Sequence, residues 1–131
     1  MKIATWNVNS IRQRVDRVTA WAEREKPDVL CMQEIKTEDA GFPREPFEAL
    51  GYHVETYGQR TYNGVAILAR KPIQDVVRGF PSEEPDAARR LIAGTVGGIR
   101  VVCVYVPNGQ AVGSENFFSL LFFLYSVSLF L

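Results

Sequence analysis

Pro27-Asp28-Val29-Leu30-Cys31-Met32-Gln33-Glu34-Ile35-Lys36 is the stretch from which the rest of the chain is read. Four consecutive apolar residues, Val29 to Met32, predict a short strand covered on both faces, as in the interior of an α/β domain. The run ends abruptly in Gln33-Glu34, with Lys36 close behind. A buried lone carboxylate is costly unless it is paired or bound to a metal, so Glu34 at a strand end either marks the exit to solvent or waits for a cation.

On the amino-terminal side, Lys2 to Asn9 reads as a first strand ending in asparagines. Ser10 and Gln13 have the spacing of a capping box, which predicts a helix starting at Ile11. Ile11, Val15, Val18 and Ala22 recur at helical spacing and form its apolar face, and Pro27 stops it. Strand, helix, strand is a βαβ-like order. If the two strands are parallel neighbours, Asn7 and Glu34 emerge at the same sheet edge, where α/β folds place ligands.

Beyond Lys36, the sequence predicts a loop and a short helix around Pro46–Leu50, closed by Gly51. Strands are expected over 53–57 and 62–69 as a hairpin, then over 73–80, 90–96 and 98–106, with Gly97-Gly98 as a tight turn. This part reads as an antiparallel meander. His53, the one histidine, falls on an alternating strand and is expected to be a surface or structural side chain.

Length and composition bound the function. The chain has 131 residues, 47% apolar and 23% charged, the balance of one modest soluble domain. Formal net charge is zero, so a basic binding face would have to be local. Cys31 and Cys103 lie in apolar strands and are expected to be buried free thiols in a reducing compartment rather than a disulfide. No cationic leader precedes an apolar stretch at the start, which predicts a cytoplasmic chain. Residues 117–131 hold five of the eight phenylalanines and no charge. As a helix they would span roughly 22 Å against a ~30 Å hydrocarbon core, so a membrane anchor is not favoured. The expected division is therefore a domain over 1–115 and an atypical hydrophobic tail over 116–131.

Several stretches taken together resemble one family. Ile3 to Arg12, with Trp6-Asn7-Val8-Asn9, and Pro27 to Lys36 are similar to the first two motifs of the exonuclease III family. Gly51-Tyr52, Gly58-Gln59, Tyr62 to Ala66, Arg78 to Pro81, Asp86 to Ile92 and Tyr105-Val106-Pro107-Asn108-Gly109 follow in that family's order. The resemblance covers about residues 1–115. It implies the α/β class, as the first half of a four-layer α/β sandwich of the endonuclease/exonuclease/phosphatase superfamily, with one mixed sheet and its helices. It implies Mg²⁺-dependent hydrolysis of DNA phosphodiesters, with Mn²⁺ as the alternative ion. The substrates implied are double-stranded DNA with abasic sites or 3′ ends, and no protein partner is evident. Carried over by position, Glu34 is similar to the metal-binding carboxylate and Asn7 to the asparagine beside it. Tyr105 resembles the tyrosine near the scissile phosphate, and Arg89 and Arg90 resemble DNA-facing basic positions.

Without the resemblance, a turn cap is the lesser reading of Asn7, Tyr105 reads equally well as a half-buried strand aromatic, and Arg89-Arg90 reads as a solvated pair on a strand edge. The family's Gly-Asp-x-Asn and Ser-Asp-His motifs do not occur in this sequence. That absence predicts a truncated product with a partial metal site, little or no activity, and one bare face of its sheet. A phosphatase or phospholipase of the same superfamily and a non-catalytic DNA-binding fragment are the other readings.

Overall fold

The computed structural model describes residues 1–81, 84 and 87–115. The expected division at residue 115 and the tail after it lie outside the described residues. Two compact units separate, Met1–Gly79 with Glu84–Tyr105, and Phe80–Glu83 with Val106–Leu131. In the second, Gln110 N donates to Asn108 Oδ1 at 2.9 Å and Ser114 Oγ to Gly109 O at 3.1 Å.

Among the described residues the first unit carries seven strands and two α-helices: β1 (Ile3–Asn7), α1 (Ile11–Glu25), β2 (Val29–Gln33), α2 (Arg44–Ala49), β3 (His53–Tyr57), β4 (Val65–Ala69), β5 (Gln74–Arg78), β6 (Leu91–Val96) and β7 (Ile99–Val104). The first sheet has the order β1-β2-β4-β3. β1 and β2 are parallel, with Asn7 opposite Gln33, and the other pairs in this sheet are antiparallel. It is the mixed sheet expected. β5, β6 and β7 do not extend it but form a second, antiparallel sheet.

The single-sheet expectation is therefore corrected, and so is the bare face. Because side chains alternate across a strand, Val29 and Cys31 of β2 with Val65, Ile67 and Ala69 of β4 point one way. They pack against Ile92, Val96, Val101 and Cys103 of the second sheet. Leu30, Met32, Ala66 and Leu68 point the other way, onto Ile11, Val18 and Ala22 of α1 and Phe47 of α2. Burial on both faces is what makes Val29–Met32 a continuous apolar run.

α1 begins at Ile11 as expected and ends with Lys26 in the left-handed conformation, ahead of Pro27. The capping box does not form. Ser10 has φ 81°, its side chain makes no cap bond, and its backbone N–H, which Gln13 would have received, donates to Glu34 O at 2.9 Å. The strand expected from Tyr62 starts only at Val65, because Asn63 (φ 56°) and Gly64 (φ 86°) are left-handed. Gly97 and Gly98 both have positive φ, 55° and 79°, the tight turn expected. His53 is exposed.

Gly58 shows how tightly the loops at the sheet edge pack. A Cβ there would lie 2.2 Å from the Thr37 carbonyl oxygen and 3.0 Å from both Asp39 N and Asp39 Oδ1. Asp39 Oδ1 already accepts from Gly58 N at 2.7 Å and Thr56 Oγ1 at 2.8 Å, so neither loop has room to withdraw. Gly58→Ala is expected to cost about 1–3 kcal/mol through overpacking. A lower urea midpoint with unchanged slope would register it.

Candidate functional site

The carboxyl ends of β1 and β2 come out together, and the loops that follow are sewn to each other. Val8 N, Ser10 N and Ile11 N donate to Gln33 O, Glu34 O and Ile35 O at 3.0, 2.9 and 3.2 Å. On the opposite side Ile35 N and Lys36 N donate to Gly64 O and Asn63 O at 3.2 and 3.1 Å. Gly64 N then donates to Arg89 O, and Tyr105 N to Arg90 O. Five chain segments thus converge on one sheet edge. Asn9, Ser10, Glu34, Lys36 and Asn63 are all left-handed there, with φ of 44°, 81°, 52°, 54° and 56°. Non-glycine residues persist in that region only where their surroundings hold them, and such strain concentrates at functional sites.

Glu34 is half-buried at the centre of this edge. Its Oε1 accepts the Tyr105 hydroxyl at 2.6 Å, which joins residues far apart in the chain. No lysine or arginine among the described residues forms an ion pair with the carboxylate. The Tyr105 phenol is pushed up to about 12, first by burial, then by its hydrogen bond to Glu34 and by that carboxylate's negative charge, with the Arg90 guanidinium opposing. Tyr105 is therefore held as a neutral donor.

The phenol also makes a checkable prediction. A tyrosine whose pKa is raised on folding binds its proton more tightly in the native state. The stabilisation is complete below the ordinary value of 10.0 and is lost as pH rises from there to about 12. In metal-free buffer, Glu34→Gln removes the negative charge, so the Tyr105 tyrosinate should appear at lower pH in a spectrophotometric titration. An unmoved titration would show that the phenol does not sense Glu34.

Asn7 ends β1 and is exposed. Its Oδ1 accepts from Asn9 N at 3.2 Å, which orients the amide and leaves the oxygen a second lone pair. Lys36 Nζ donates to Asn9 Oδ1 at 2.6 Å, so a cation stands beside the edge without neutralising Glu34. Arg89 Nη1 donates to Gly58 O at 2.7 Å, and its guanidinium lies over the Tyr57 ring, 4.8 Å from the centroid. Arg90 is half-buried, close enough to act electrostatically on Tyr105. The fold thus brings Glu34 and Tyr105 into direct contact, puts Asn7 at the adjoining strand end, and joins Arg89 and Arg90 through backbone bonds. Sequence reasoning assigned no role to Asn9 or Lys36, although Asn7-x-Asn9 and Glu34-x-Lys36 repeat one spacing after two parallel strands.

A hard divalent cation fits this donor set. One uncompensated carboxylate oxygen beside an amide oxygen is a sufficient protein share for Mg²⁺, which keeps several waters.

The profile of the Endonuclease/Exonuclease/phosphatase family matches residues 4–123. The chain is 38% identical over 122 residues to exodeoxyribonuclease III of Haemophilus influenzae, covering 90% of this chain and 46% of that enzyme. Among solved structures, a 3′ phosphatase from Neisseria bound to product DNA hairpin superposes with a TM-score of 0.93 at 42% identity. An AP endonuclease from Archaeoglobus fulgidus superposes at 0.91 and 43%. Each superposition covers 97% of this chain and 49% of the solved one. The chain thus spans about half the length of these relatives.

Proposed function

Since the chain belongs to the endonuclease/exonuclease/phosphatase family, we propose that it supplies the metal-binding half of a DNA repair nuclease of the exodeoxyribonuclease III type, a phosphodiester hydrolase. The observation that carries this reading is the Glu34 carboxylate, held at the joined ends of β1 and β2 with the Tyr105 hydroxyl on one oxygen.

Glu34 would hold Mg²⁺, or Mn²⁺, with Asn7 contributing its amide oxygen. The ion, when bound, supplies positive charge against the phosphoryl and leaving oxygens of the phosphodiester. Tyr105 holds its proton on the phenol oxygen across the working pH range and, turned from Glu34 once that carboxylate holds the ion, would donate it as a hydrogen bond to charge growing on the phosphate. Arg89 and Arg90 place positive charge at the same edge, where a duplex backbone would lie. Lys36 holds Asn9, which in turn orients Asn7. The substrate in this reading is double-stranded DNA with an abasic site or a 3′ end. With neither Gly-Asp-x-Asn nor Ser-Asp-His in the sequence, these residues bind metal and DNA without activating the attacking water, so the chain by itself does not turn DNA over.

The test is a binding and cleavage assay of the chain with an abasic duplex, an intact duplex and an inositol phosphate competitor. The expected result is Mg²⁺-assisted binding of abasic DNA that weakens with salt and with Glu34→Gln, without strand cleavage. Displacement by the inositol phosphate would move the assignment to a phosphatase branch. Salt-sensitive binding indifferent to Glu34→Gln would leave a non-catalytic DNA-binding chain. Cleavage dependent on Mg²⁺ and Glu34 would contradict the claim that the chain alone does not turn over.

A further inference from the structure

A pair of thiols outside the site lies between the sheets. Cys31 of β2 and Cys103 of β7 are both free and buried, they belong to the same inter-sheet core, and both line one cleft between the sheets. The sheets run close at this point. Cys103 Sγ lies 3.3 Å from the Met32 carbonyl oxygen, so it reaches the backbone of β2 itself. Gln33 Nε2, which donates to Thr5 Oγ1 at 2.9 Å, also lies 3.6 Å from Cys103 Sγ.

The pair is reachable. β1 is an edge strand of the first sheet and β7 of the second. Between them opens a cleft of about 320 Å³ lined by Ile3, Thr5, Gln33, Val101 and both cysteines. Such a cleft admits a small oxidant and leaves little room for a protein thiol.

We propose that Cys31 and Cys103 form an oxidative modification site at which a hydroperoxide converts the thiol pair into an inter-sheet disulfide. Cys31 is the attacking sulfur. It is the less deeply buried of the two, 6% exposed against 1%, whereas the Cys103 S–H is donated to the Met32 carbonyl oxygen. The Cys31 thiolate takes one peroxide oxygen, the O–O bond breaks, and hydroxide leaves, giving a sulfenic acid. The Cys103 sulfur then displaces that oxygen as hydroxide, which takes the Cys103 proton. The sum is two thiols and one hydrogen peroxide to one disulfide and two waters, with the sulfurs losing the two electrons the peroxide gains. The bond would tie β2 to β7, the strands that lead directly into Glu34 and Tyr105. It does not depend on the nuclease reading, because the chemistry uses neither DNA nor a metal.

The experiment treats the reduced full chain with hydrogen peroxide under native conditions, alkylates the remaining thiols and maps the peptides. The expected result is joint loss of alkylation at Cys31 and Cys103, with one intramolecular linked peptide two hydrogens lighter and restored by dithiothreitol. Cys103→Ser should abolish the link and leave Cys31 oxidised further or captured by added glutathione. Thiols that stay alkylatable in the native chain, a link that forms only in denaturant, or a link between two chains would each overturn the proposal. The wild-type map decides the matter even if the variant does not fold.

Discussion

Glu34→Gln is expected to lower Mg²⁺ affinity by about 100-fold or more, the upper end of what disturbing even an outer-shell partner of a metal costs. The substitution keeps size and shape and leaves an amide oxygen that still accepts the Tyr105 hydroxyl, so the fold should survive. Only the charge is lost, and in the proposed site that charge is the sole anionic ligand. Asn7→Ala should have a smaller effect, because a neutral amide oxygen is readily replaced by water in the shell of an ion that dehydrates reluctantly. Isothermal titration of the two variants beside the wild type would check both. Equal affinities in Glu34→Gln and wild type would remove Glu34 from the metal site.

Phe47→Ala is expected to destabilise the chain by about 3–5 kcal/mol, the usual cost of deleting a fully buried aromatic. Set against a total stability of about 5–15 kcal/mol, that is a large fraction. α2 has only six residues, and Phe47 is its one buried side chain. A helix that short has no stability of its own and is held by docking. Phe47 packs beside Phe42 with ring centroids 5.9 Å apart, and its carbonyl accepts from Leu50 N and Tyr52 N, both at 3.1 Å. Removing the ring leaves a void under α2 and loosens the run into β3. Urea denaturation should show a midpoint far below wild type. A shift under about 1 kcal/mol would mean that α2 collapses onto the void, at the mild end of core truncations.

The local elements were legible because their signals are local. The apolar run Val29–Met32, the helical spacing of Ile11, Val18 and Ala22, and Gly97-Gly98 each state their own conformation. The partition of the later strands into two sheets was not, since β4 pairs with β2 across more than thirty intervening residues and nothing within β4 names its neighbour. Ser10 misled for a related reason. Its capping signal is sound in isolation, but the bond from its N–H to the Glu34 carbonyl outweighs it.

The candidate site divides in the same way. Glu34 could be singled out from its own surroundings as a carboxylate where a buried strand stops. The parallel β1–β2 pairing, on which its nearness to Asn7 depended, is present. Tyr105 read equally well as an ordinary strand aromatic, and only the family resemblance pointed to it. Its 2.6 Å contact with Glu34 spans 71 positions and leaves no periodic trace. The left-handed backbone at Glu34 and Lys36 was equally invisible, because neither residue type favours that region.

The most direct test of the central claim is where a divalent ion settles on this chain. Mn²⁺ titrated into isotopically labelled protein should broaden the resonances of Asn7, Gln33, Glu34 and Tyr105 first, with Mg²⁺ reversing the effect by competition. Broadening centred elsewhere, for instance on the exposed Glu38 and Asp39, with the Glu34 signals untouched, would contradict the account.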